Sequence, residues 1–116
     1  HWFMQQHGQI NGFKTVIWSG VTTLELAKAM NTAIEQHKTG LIQLSNGIGI
    51  SKYDLLCLFK ELWKREDLEV LPYVTNGIDK SMAKSRRFIY EAPTYRSMLE
   101  DLVEWMNQYR NLYKQY

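Results

Sequence analysis

The chain is nearly devoid of cysteine. Cys57 stands alone among 116 residues, which excludes an internal disulfide framework and fits a reducing compartment. Long hydrophobic runs are missing too, so no segment reads as a membrane span. The start lacks the basic–apolar–small pattern of a signal peptide, and the cytoplasm is the expected location. No low-complexity stretch and no repeat of fixed period is visible. Charge of one sign is scarce: a formal net charge of +2 is too small to steer a chain onto nucleic acid. That sets aside a nucleic-acid role for residues 80–87 with Phe88 and Tyr90.

Catalytic signatures are absent as well. No glycine-rich GxGxxG or GxxGxxG loop follows an apolar run, so no dinucleotide-phosphate cradle is legible. No tyrosine is followed four residues later by lysine, and no GxSxG elbow or P-loop occurs. His1, His7 and His37 share no ligand-like spacing, which excludes a zinc site of familiar pattern. Cys57 has no histidine near it in sequence and reads as a small, partly buried filler. Glu66-Asp67, past Lys64-Arg65 at a helix end, reads as a solvated turn.

What is present is ordinary for a globular domain. With 45% hydrophobic and 22% charged residues, the chain suffices for one core. His1 to Gly8 reads as the last turns of a helix, stopped by Gly8, or else as a terminus folded back onto the core. Lys14 to Trp18 reads as a strand. A helix follows, with Thr22 as cap, Glu25 returning the bond, and Leu26, Met30, Ala33, Ile34 and His37 along one face. Leu41 to Ser45 forms a second strand, and Ser51 with Asp54 caps a second helix bearing Leu55, Leu58, Phe59, Leu62 and Trp63. Leu68 to Val74 is a third strand, with Pro72 marking an edge. Residues 75–93 form a long polar connection with a short strand at Arg87 to Tyr90. From Thr94 a last helix carries Tyr95, Met98, Leu99, Leu102, Met106 and Tyr109, and the tail from Arg110 frays. The class is α/β, with about three short strands and three main helices.

Two features stand out. The first is Trp18-Ser19-Gly20-Val21-Thr22-Thr23, where a strand meets a helix. There, outward-facing N–H groups, hydroxyls and an indole can meet a polar ligand; equally, Thr22 caps and Trp18 packs. The second is Lys80-Ser81-Met82-Ala83-Lys84-Ser85-Arg86-Arg87, four cations within eight residues. Guanidinium forks suit phosphate oxygens, although a charge run is also the ordinary content of a solvated loop.

These features, in this order, resemble the C-terminal part of dTDP-4-dehydrorhamnose reductase-like proteins, which are extended short-chain dehydrogenase/reductases. The family shows a strand, Asp-Gln-x-Gly-x-Pro-Thr and a helix with a Leu-Ala pair; Trp18 to Thr23 followed by Leu26-Ala27 is similar. Gly40-Leu41-Ile42-Gln43-Leu44 and Ser51-Lys52-Tyr53 resemble the family's next two motifs. Lys80 to Arg86 resembles its Arg-Pro-x-x-Ser-x-Leu segment, with Lys-Ser in place of Arg-Pro, and Trp105 suits its final helix. The acidic–glutamine pair and the proline of the first motif are absent.

The resemblance implies that residues 1–12 are the tail of an upstream helix and a linker. Residues 13–116 would then be the smaller, substrate-binding α/β domain. The Rossmann domain that binds NAD(P) and carries the catalytic tyrosine and lysine would lie outside this chain. It further implies a nucleotide-sugar substrate, with Trp18, Ser19, Thr22 and Thr23 on the sugar side and Lys80, Ser81, Arg86 and Arg87 toward the pyrophosphate or nucleotide. The chain alone would hold no cofactor or metal and catalyse nothing. Homo-oligomer formation stays open. The alternative is a non-enzymatic α/β module that binds a protein through Trp2, Phe3 and the last helix.

Overall fold

Two parallel courses of chain organise the computed structural model, which describes residues 1–113. Strand β1 (Gly8–Phe13) pairs in parallel with β4 (Leu68–Tyr73), Gly8 opposite Leu68 and Phe13 opposite Tyr73. Beyond them β2 (Val16–Trp18) pairs in parallel with β5 (Ile78–Lys80), Val16 opposite Ile78 and Trp18 opposite Lys80. Between the pairs the register slips by two residues. Thr15 holds the slip: its hydroxyl donates to the Thr75 carbonyl at 3.0 Å and accepts the Thr75 N–H at 3.1 Å. Its carbonyl accepts the Ile78 N–H at 3.0 Å. A Cβ on Gly77 would stand 3.2 Å from that carbonyl oxygen, so the tight approach suits glycine. A short β3 (Ile50–Ser51) closes the other edge of β2, antiparallel to it.

The helices are α1 (Thr23–Glu35), α2 (Lys52–Leu62) and α3 (Tyr95–Gln108). Each starts at a hydroxyl cap: Thr22 accepts the Glu25 N–H, Ser51 that of Asp54, and Thr94 that of Ser97. Each such cap contributes about 1 kcal/mol. Phe3, Ile10 and Leu68 form the centre of the core, against Met4, Leu56, Phe59 and Val70. Phe3, Phe59 and Trp63 continue as edge-to-face aromatics at 5.4 and 5.6 Å. Ala29, Phe88, Met98 and Leu99 are buried on α1, the 81–94 segment and α3. The molecule is a slab, 47 × 40 × 18 Å, and its radius of gyration of 15.7 Å exceeds the ~13 Å of a compact chain this long.

The α/β class stands, with five short strands where three were expected. Within residues 1–12, Trp2–Gln5 is one 3-10 turn, and β1 runs across the expected boundary after residue 12. Phe3 folds back into the core, and Gly8, at φ +68, opens a strand instead of ending a helix. Leu41 to Ser45 forms no strand, and β2 is paired instead by β3 and β5. Leu41 is left 91% exposed. No strand forms at Arg87 to Tyr90; β5 lies earlier, where the parallel course of β2 recruits it. On α1 the buried face carries Glu25 and Ala29, and the expected stripe of Leu26, Met30 and Ile34 faces solvent. No helix among the described residues is long and apolar enough to cross a membrane.

Candidate ligand-binding site

Strands β2 and β5 run the same way and end together, so the chain leaves both at one edge: residues 19–22 toward α1 and residues 81–94 toward α3. Loops at the C-terminal ends of parallel strands are where α/β folds place ligands. The two features singled out in the sequence meet here, with Trp18 the register partner of Lys80.

A buried knot holds the two exits. Ser19 is 1% exposed, and its hydroxyl accepts the Met82 N–H at 2.7 Å and lies 3.0 Å from the Ser45 hydroxyl. Ser45 donates to the Met82 carbonyl at 2.7 Å, and the Asn46 N–H donates to the Ser19 carbonyl at 2.8 Å. The Asn46 amide reaches the Pro93 carbonyl at 2.7 Å. These groups satisfy one another, as buried polar groups must. Ser19 therefore fastens loops, and its hydroxyl does not reach the surface.

Trp18 is half-buried against Tyr95, ring centroids 6.1 Å apart. Its indole lies so close over Gly20 that a Cβ there would sit 2.0 Å from Cζ2. Tyr95 donates to the Ile48 carbonyl at 2.5 Å, and burial raises its phenol pKa. Thr22 spends its hydroxyl on the helix cap. Thr23 is exposed and borders a groove of about 280 Å³ shared with Phe3, Phe59, Trp63 and Met106, away from the basic segment.

The basic segment is mostly exposed. The Ser81 N–H donates to the Asp79 carboxylate at 2.8 Å, and the Ser81 side chain, then this N–H, hold Asp79 below its ordinary pKa. Lys84 lies over Gly47 and pairs with Glu91 at 2.6 Å. Lys80, Arg86 and Arg87 are exposed and, among the described residues, pair with no acid. A cleft of about 150 Å³ separates Gln43 and Leu44 from Lys84, Ser85 and Tyr90. A larger groove of about 680 Å³ lies elsewhere, along Leu62, Trp63 and Met106, and contains none of the candidate residues.

Four residues of the site are not evident from the sequence. Ser45 and Asn46 sit where an apolar run ends before glycine, the one local signal of a loop at the site. Glu25 is hidden in a capping pattern, and Tyr90 in the irregular connection. Glu25 does not return a bond to Thr22; it accepts the Tyr90 hydroxyl at 2.6 Å. Burial, then the Glu25 carboxylate, push the Tyr90 phenol up to about 12. Among the described residues no cluster of three metal-ligating side chains forms. The arrangement is equipped for binding: three unpaired cations, an indole and loops pinned from beneath.

No protein-family model and no curated protein matches the sequence. A solved structure does match in shape: dTDP-glucose 4,6-dehydratase from Bacillus anthracis, in complex with NAD, with a TM-score of 0.54 over 89% of this chain at 13% identity. The chain spans 35% of that protein's length. At this identity the likeness is one of fold: the chain has the α/β fold of part of that larger protein.

Proposed function

We propose that this chain is the substrate-binding portion of an NAD(P)-dependent nucleotide-sugar reductase, dTDP-4-dehydrorhamnose reductase-like in the order of its motifs, and not catalytic by itself. The observation that carries this reading is the register of β2 on β5, which sets Trp18 beside Lys80 at a shared strand end. Lys80, Arg86 and Arg87 supply unpaired positive charge for a pyrophosphate. Trp18 and Thr22 line the sugar side, Ser81 faces the pyrophosphate with the cations, and Ser19 positions the loops beneath. NAD(P) belongs to a Rossmann domain outside these residues. The solvent-facing Leu26, Met30 and Ile34 of α1, with the unpaired segment at Leu41, suit contact with that domain.

Calorimetric titration of the chain with a dTDP-sugar tests the proposal. Lys80→Ala and Arg86→Ala should each weaken binding about tenfold, the worth of one charge-assisted hydrogen bond. Equal affinity in wild type and both variants contradicts it. The α1 stripe also favours a second reading, a module that binds only protein. A chain that takes up no nucleotide and self-associates through Met30 and Ile34 would establish that one.

A further inference from the structure

We propose that Glu25 and Tyr90 are positioning residues that fix the basic segment over the ends of β2 and β5, an inference resting on the nucleotide-binding reading of that segment. The Glu25 side chain is 2% exposed. Burying a carboxylate is costly unless it is bonded and paired. One oxygen, Oε1, accepts the Tyr90 hydroxyl at 2.6 Å, across 65 residues of sequence. The other, Oε2, has no hydrogen-bond partner; Lys28 Nζ lies 3.5 Å away, while donating to Asp101 at 2.6 Å. A first-turn glutamate would ordinarily return to its cap or remain in water. Here it is spent on one phenol.

That phenol sits at the far end of a stretch without regular structure. Residues 81–94 contain no helix or strand, so their order depends on discrete ties. At the near end Met82 is held by Ser19 and Ser45. At the far end Phe88, 4% exposed, stacks on Tyr90 at 5.7 Å, and Tyr90 is bonded to Glu25. Arg86 and Arg87 lie between the two ties, whereas Lys84 is also held by Glu91 at 2.6 Å and its neighbour Ala83 by the Gln43 amide at 3.1 Å. Releasing the far tie frees Arg86 and Arg87 to move and costs them their preorganisation for an anion.

Hydrogen exchange on the full chain, paired with titration of dTDP, tests this. Tyr90→Phe keeps the ring and removes the donor. It should speed exchange across residues 83–89 about tenfold or more while β1 and β4 keep their protection, and weaken dTDP binding about as much as Arg86→Ala. Glu25→Gln keeps a carbonyl acceptor and should retain wild-type protection at 83–89. If Tyr90→Phe does not fold, Glu25→Ala, which removes the acceptor, decides: unchanged protection at 83–89 in that variant with an intact core overturns the inference. Unchanged exchange in a folded Tyr90→Phe overturns it, as does faster exchange with unchanged dTDP affinity. A wild-type chain that binds no dTDP defeats the nucleotide reading, and the exchange result still decides whether the tie exists.

Discussion

Thr15 and Thr75 clasp each other at the point where two parallel strand pairs change register, through a hydroxyl that both donates to and accepts from the Thr75 backbone. The clasp aligns β2 with β5, and so sets Trp18 beside Lys80. Thr15→Val keeps the shape and leaves the Thr75 N–H without its acceptor. The expected cost is about 1–3 kcal/mol, read as a lower midpoint in urea unfolding with unchanged slope.

Gly12 carries a different demand. It is buried, and a Cβ there would stand 2.8 Å from Tyr53 Cδ2 and Val70 Cγ1 and 2.9 Å from the Tyr53 Cα. The last contact is backbone of α2, which cannot rotate away. Gly12→Ala should destabilise by about 1–3 kcal/mol through overpacking, measured by thermal melting.

At high pH, Tyr90 governs. Its pKa is pushed up to about 12 in the fold, against about 10 for a free phenol. Above pH 10 the unfolded chain releases this proton first, so stability is fully present below that pH and falls between about 10 and 12. Tyr90→Phe should remove that part of the alkaline decline, read from unfolding midpoints between pH 9 and 12.

At low pH the N-terminal turn loosens. Arg65, and after it His7, hydrogen-bond Asp67 and hold its carboxyl well below the usual range. Arg65 also donates to the Met4 and Gln6 carbonyls. With the folded pKa depressed, this stabilisation is present above the ordinary carboxylate value and is lost as pH falls below about 4. The Phe3 ring resonances should shift in that range, and salt should reduce the effect because the groups are exposed.

Local rules were the legible part of this fold. Thr22, Ser51 and Thr94 cap as their side chains dictate, and β4 and α3 fall within a residue or two of their periodicity. What stayed hidden depends on partners far along the chain. Gly8-Gln9-Ile10-Asn11-Gly12 has no strand-like alternation and is a strand because β4 lies beside it. Leu41 to Ser45 has the composition of a strand but pairs with none of the five strands. The α1 periodicity was real, but tertiary contact buried Glu25 and Ala29 instead of Leu26 and Met30. At the site, the cations and Trp18 were visible as residue types; the Ser19–Ser45–Met82 knot and the Glu25–Tyr90 tie join segments 26 to 65 residues apart, beyond any local pattern.

The proposed division of labour has its own consequence. The chain alone should oxidise no NAD(P)H in the presence of a dTDP-4-keto sugar, because in this proposal the cofactor is held by a Rossmann domain outside these residues. Turnover by the isolated chain, followed at 340 nm, would show that catalytic groups lie within it.

The most direct measurement is an amide NMR titration of the full chain with a dTDP-sugar. A nucleotide-sugar site at the strand ends gives shifts confined to residues 18–23 and 80–87, with the Leu62–Trp63 groove silent. Shifts at that groove alone, or none at saturating ligand, would contradict a nucleotide-sugar site at the ends of β2 and β5.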